Sequence, residues 1–241
     1  MKFLKNHISL LVAVAGGIAV MILRQLHLAT ANEAGLLVRD HITGIFALIL
    51  SVAILALLLW RSLVLPKEQT CRFPASIPAT VGYALGAFGI AYTAVGFFRA
   101  QTVTVMPMAA FVGVVAAVAL LIMAGLRFQG LAANVLYHAA VCVFFLLLLL
   151  CQYQLWSSEP QMPLYAYAMV ATAFLSVGGF HRACFDGKMG QLRQYAFFRA
   201  GSVFFCLAAI PGSDLWVLYL TGALWSAADI LNLSVVPEEG G

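Results

Sequence analysis

Three ionisable side chains interrupt stretches of this chain in which an unpaired charge is costly: His138, Arg199 and Asp229. An imidazole titrates near neutrality, a guanidinium grips a carboxylate or phosphate in a fork, and a carboxylate takes a proton or pairs with a cation. Helical spacing gives each a set of polar or small companions. Asn134, His138 and Cys142 share one face, Tyr195, Arg199, Ser202 and Cys206 a second, and Gly222, Trp225, Ser226 and Asp229 a third. Such faces turn toward protein. Asn134, His138, Arg199, Ser202, Ser226 and Asp229 are therefore the candidate ligand-binding residues, and no catalytic residue is assigned. Two chemistries fit them. Arg199 and Asp229 can pair across a hairpin while His138 bonds to Asn134 or a backbone carbonyl. Alternatively, the set lines a polar cavity that holds a ligand or relays a proton.

The elements that must carry these residues are apolar runs. Hydrophobic residues make up 63% of the 241 and charged ones only 9%, a composition whose solvent is hydrocarbon. Runs long enough to cross as helices lie near 8–24, 43–60, 77–98, 106–125, 130–154, 163–180, 195–211 and 214–233. Threaded with the N-terminus in the cytoplasm, the inner segments hold Lys2, Lys5, Arg61, Lys67, Arg72, Arg127, Arg182, Lys188 and Arg193, and the outer ones only Arg24, Arg39 and Arg99. This asymmetry predicts both termini in the cytoplasm. At 1.5 Å of rise per residue, His138, Arg199 and Asp229 then lie within about 12 Å of the inner boundary. Trp60, Trp156 and Trp216 fall at predicted ends, as do Pro78, Pro107 and Pro163, and Ser213 with Asp214 reads as a stop and capped restart. The expectation is an all-α polytopic transmembrane bundle of about eight helices, forming one domain over 1–241.

Several function classes are excluded or left without support. The five cysteines show no CxxC or CxxH spacing and read as small apolar fillers, not disulfides or zinc ligands. His27, Glu33, Asp40 and His41 share one outer connection but match no metal motif, so no metal site and no cofactor is assigned. HExxH, GxSxG and clustered aspartates for a phosphate-bound magnesium ion are all missing. The net charge of +4 belongs to loops facing anionic lipid, which removes a nucleic-acid partner. Lys2, Lys5 and the run ending at Ala29, Thr30 and Ala31 resemble a signal peptide, but Arg24 and His27 intervene and the run is read as a retained helix. The pair FFRAQTV at 97–103 and FFRAGSV at 197–203 could be an internal repeat and is read as chance. Gly82, Gly86, Gly89 and Gly96, and Ala13 with Gly17, form small-residue faces suited to close helix packing or to a partner subunit or second copy.

The run LRQLHLATANEAGLLVRDH over 23–41, leading into the second apolar segment, resembles the corresponding region of small polytopic bacterial inner-membrane proteins. An arginine closing the first helix is followed there by a Leu/Thr stretch and a Gly-Leu pair. The resemblance implies a multi-pass protein of the bacterial inner membrane and carries no activity. The leading reading is a small-solute or lipid transport or binding component with a cytoplasm-facing polar cavity and membrane lipids as its surroundings. The alternatives are an enzyme acting on a lipid head group, with His138 and Asp229 moving protons and Arg199 holding an anion, and a non-catalytic assembly subunit.

Overall fold

A computed structural model describes residues 2–31, 41–65, 71–100, 102–157 and 162–235. Eight helices follow one another: α1 (Lys2–Leu28), α2 (Ile42–Val64), α3 (Ile77–Ala100), α4 (Met106–Phe128), α5 (Val135–Trp156), α6 (Met162–Asp186), α7 (Leu192–Ala209) and α8 (Trp216–Leu231). Among the described residues the strand content is a pair of two-residue strands, β1 (Cys71–Arg72) and β2 (Ser234–Val235), joined antiparallel with Cys71 opposite Val235. That pair ties the α2–α3 connection to the segment after α8.

Six helices, α1 to α6, are long and apolar enough to cross a membrane. The eight apolar runs are all helical, but the last two are different in kind. α7 has 18 residues, includes Arg193 and Arg199, and packs against α1, α2, α6 and α8. α8 has 16 residues, or about 24 Å of axis, and shows its surroundings mainly the stripe of Trp216, Leu220, Leu224 and Leu231. Enclosed helices answer to neighbouring side chains, not to lipid, and so can be shorter and more polar.

Helix ends follow local rules. α4 stops where Gly130 takes φ +71°, with Gly130 N bonded to Arg127 O and Leu131 N to Leu126 O, a reversal that favours a residue without Cβ. α5 starts later than its apolar run suggests, because Asn134 is the N-cap: its side chain accepts from Leu136 N at 3.0 Å. α6 runs six residues past the apolar stretch ending at 180, through Arg182 and Asp186, whose side chains bond one turn apart. This shortens the connection expected over 181–194 to 187–191.

Glycines set the closest approach. Gly82, Gly86 and Gly89 on α3 face Ala228, Trp225 and Thr221 on α8, so the two helices run antiparallel in close contact. Gly96 meets nothing within 4 Å, which corrects its place in that face. Gly17 lies against Leu207 and Phe204 of α7. These faces are spent within the chain.

Candidate functional site

Each consecutive pair of helices reverses direction, so the ends of α4, α6 and α8 meet the starts of α3, α5 and α7 at the end of the bundle that also carries β1 and β2. At that end six ionisable groups form one continuous network. Asp186 at the close of α6 receives Arg127 of α4, His138 Nε2 of α5 at 2.8 Å and Arg182 Nη1 at 2.9 Å. Arg182 Nε reaches on to Asp229 Oδ1 of α8 at 3.2 Å, and Arg199 Nη2 of α7 stands 3.0 Å from Asp229 Oδ2. Tyr83 of α3 donates to Asp229 Oδ1 at 3.2 Å, and Arg199 Nη1 donates to Ser226 Oγ at 3.4 Å. Five of the eight helices thus contribute a charged group or an imidazole to one chain of contacts, and α3 adds a phenol.

The setting is dry and aromatic. Arg127, His138, Arg182, Arg199 and Asp229 are all buried. The Arg182 guanidinium lies 3.5 Å from the centroid of the Phe73 ring and that of Arg199 4.4 Å from Trp225, faces that attract a cation at low water content. Three guanidiniums oppose two carboxylates, so with a neutral imidazole the network holds one positive charge in excess. Donors are in surplus as well. Arg127 Nε, Arg182 Nη2, Arg199 Nε, Tyr195 Oη and Trp225 Nε1 are buried and find no acceptor among the described residues. A buried donor without a partner costs about 1–3 kcal/mol, so five together call for an acceptor-rich guest or water.

The structure brings four of the six residues proposed from the sequence into this network: His138, Arg199, Ser226 and Asp229. Ser202 lies beside it, fully buried, its hydroxyl donating to Phe198 O in its own helix at 2.8 Å. Ser202 and Ser226 are therefore enclosed, where the sequence reading places them on a cavity open to one side. Asn134 does not join. It is exposed and spent as the α5 cap, because the helix begins after it. His138 accordingly bonds to Asp186, not to Asn134 or a carbonyl. Arg127, Arg182 and Asp186, assigned to connections from the sequence, are central here. The i,i+4 spacing of Arg182 and Asp186 is the signal that marks the extra helical turns. Around the α1–α2 connection the His27 and His41 rings stack 5.9 Å apart, while Glu33 and Asp40 lie outside the described residues.

The arrangement can hold an anion, and it can orient an imidazole against a carboxylate. Among the described residues no group of three metal-ligating side chains comes together. Fold and composition define the class as a multi-pass membrane helical bundle. No protein-family model, curated protein or solved structure matches this chain.

Proposed function

We propose that this protein is a membrane-embedded binding or transport component for a small solute or lipid that carries an anionic group, with the cluster at the β1/β2 end of the bundle as its binding site. The observation that carries this reading is the surplus of donors: one guanidinium more than there are carboxylates, and five buried N–H and O–H groups without acceptors among the described residues. A phosphate or carboxylate supplies what that set lacks, in an environment where charge-assisted bonds are strong. Stability alone does not call for such a network, since well-packed apolar side chains of equal volume serve as well or better.

The positive-inside bias supports an orientation. With the buried Arg24, Arg127 and Arg182 set aside, the sequence reading still has Lys2, Lys5, Arg61, Lys67, Arg72, Lys188 and Arg193 on the inner side against Arg39 and Arg99 on the outer. The cluster then belongs to the cytoplasmic end, in keeping with a bacterial inner membrane. The test is thermal unfolding of the detergent-purified protein, titrated with inorganic phosphate, acetate and phosphatidylglycerol against chloride and phosphatidylcholine. Binding to the folded state raises stability by about 2.7 kcal/mol at a hundred times Kd. A saturable rise with at least one of the anionic probes is expected. The same curve for every probe as for chloride refutes the reading.

A further inference from the structure

A second polar site lies at the opposite end of the bundle. A cavity of about 550 Å³ is enclosed there by the close of α3 and α5, the start of α6 and the α7–α8 connection. Gln152 of α5 lines it and is 1% exposed. Its Nε2 donates to Tyr219 Oη, whose own hydrogen is directed at Ala168 O at 3.1 Å. Gln152 Oε1 is then left as a buried acceptor with no donor among the described residues. The group that completes it must bring an N–H or O–H.

The other walls narrow the class. Trp156 and Tyr165 stack face to face with centroids 4.4 Å apart, presenting an apolar and π-rich surface that suits a hydrocarbon body or a cation. Arg99 and Asp214, one charge of each sign, line the same cavity and are exposed. Neither a bare anion nor a bare cation uses both. We propose that this cavity binds a small zwitterionic amphiphile: an apolar body bearing a primary ammonium, whose N–H groups meet Gln152 Oε1 and Asp214, and an acid group held by Arg99. Its volume lies within the range of small-molecule sites. This chemistry has two sources, a free apolar amino acid and the headgroup of an ethanolamine phospholipid. The site does not depend on anion binding at the other end.

The experiment uses the full chain purified in detergent, with tryptophan fluorescence as the readout because Trp156 forms a wall. It is titrated with phenylalanine and with a short-chain phosphatidylethanolamine; the corresponding phosphatidylcholine, which has no N–H, and phenylethylamine, which has no acid, serve as controls. Saturable binding is expected for one of the first two and not for the controls. Phenylalanine alone assigns a free amino acid, and phosphatidylethanolamine alone assigns a lipid headgroup. Arg99→Gln, at an exposed position, and Gln152→Leu each weaken that binding about tenfold or more, the loss of one hydrogen bond to a charged group. Met189→Ala, at an exposed position at the far end of the bundle and in neither site, leaves it unchanged. Absence of binding by both zwitterions, equal binding of the controls, or binding indifferent to Arg99→Gln overturns the proposal.

Discussion

Tyr195→Phe isolates the donor surplus in a single atom. The Tyr195 ring is completely buried at the start of α7, packed edge-on against Phe73 and Phe185 with centroids 5.7 and 5.2 Å away. Its hydroxyl finds no acceptor among the described residues, although it lies within electrostatic reach of Asp229 and Arg199. Phenylalanine keeps the ring contacts and removes the hydroxyl alone. Burial of an unmade hydrogen bond costs about 1–3 kcal/mol, and the small void left by the oxygen returns part of that, so a net gain of about 1–2 kcal/mol is expected. For a chain of this size each kcal/mol moves Tm by about 2–4 °C, so the variant melts about 2–8 °C higher when no anion is present. Thermal unfolding in detergent followed by tryptophan fluorescence reads this directly. Adding the anion that stabilises the wild type then narrows the gap, because the variant has lost one donor to it. A variant that melts lower than wild type without anion shows that the hydroxyl already has a partner, and the reasoning fails.

Two further outcomes test the packing around the cluster. Asp229 receives Arg182, Arg199 and Tyr83, whereas removal of Arg199 leaves that carboxylate two donors; Asp229→Asn therefore costs about 3–5 kcal/mol and Arg199→Gln less, and the double variant loses less than the sum. Losses that add within about 0.5 kcal/mol in equilibrium unfolding refute the pair. At the α3–α8 contact, a Cβ added at Gly89 would overlap Thr221 Oγ1, so Gly89→Ala costs about 1–3 kcal/mol and Thr221→Ala in the same chain recovers part of it. An unchanged melting temperature for Gly89→Ala contradicts that geometry.

The helices were legible because an apolar run must be satisfied as a helix in lipid, and their order followed from counting runs. Their ends were less so. Polarity ended the sixth run at 180, but α6 continues to Asp186 because Arg182, Asp186 and the groups they meet supply the pairing that lipid exposure denies. Arg127 reads as a loop cation for the same reason and lies in the last turn of α4. Faces fared better than boundaries. Tyr195, Arg199, Ser202 and Cys206 are all buried, as are Trp225, Ser226 and Asp229, because a 3.6-residue period carries over into whichever partner the helix finds. Which partner it finds is tertiary information. Nothing local marks Tyr83 as a donor to Asp229, 146 residues away.

The two polar ends are also connected through the bundle. Along α8 the positions Asp229, Ser226, Gly222, Tyr219 and Leu215 follow one face at helical spacing, from the cluster to the lining of the far cavity. Between them Cys142 Sγ donates to Ser176 O and Ser176 Oγ to Cys142 O, both at 3.3 Å, and Thr172 Oγ1 donates to Ala168 O at 2.9 Å. These groups satisfy one another, so the column is closed here. Three of those positions, Asp229, Ser226 and Tyr219, bury polar atoms, each of which carries a desolvation cost that apolar packing avoids. A solute carrying an acid and an N–H donor would find complementary partners at both ends and self-paired hydroxyl and thiol groups between them. Under the proposed transport reading, passage would require the Cys142–Ser176 and Thr172–Tyr219 contacts to exchange their present partners for the solute. The first exchange would part α5 from α6 and the second would move α6 against α8, and the closely packed Gly178–Ser202 and Gly222–Leu175 contacts of α6 with α7 and α8 are where that second movement would slide.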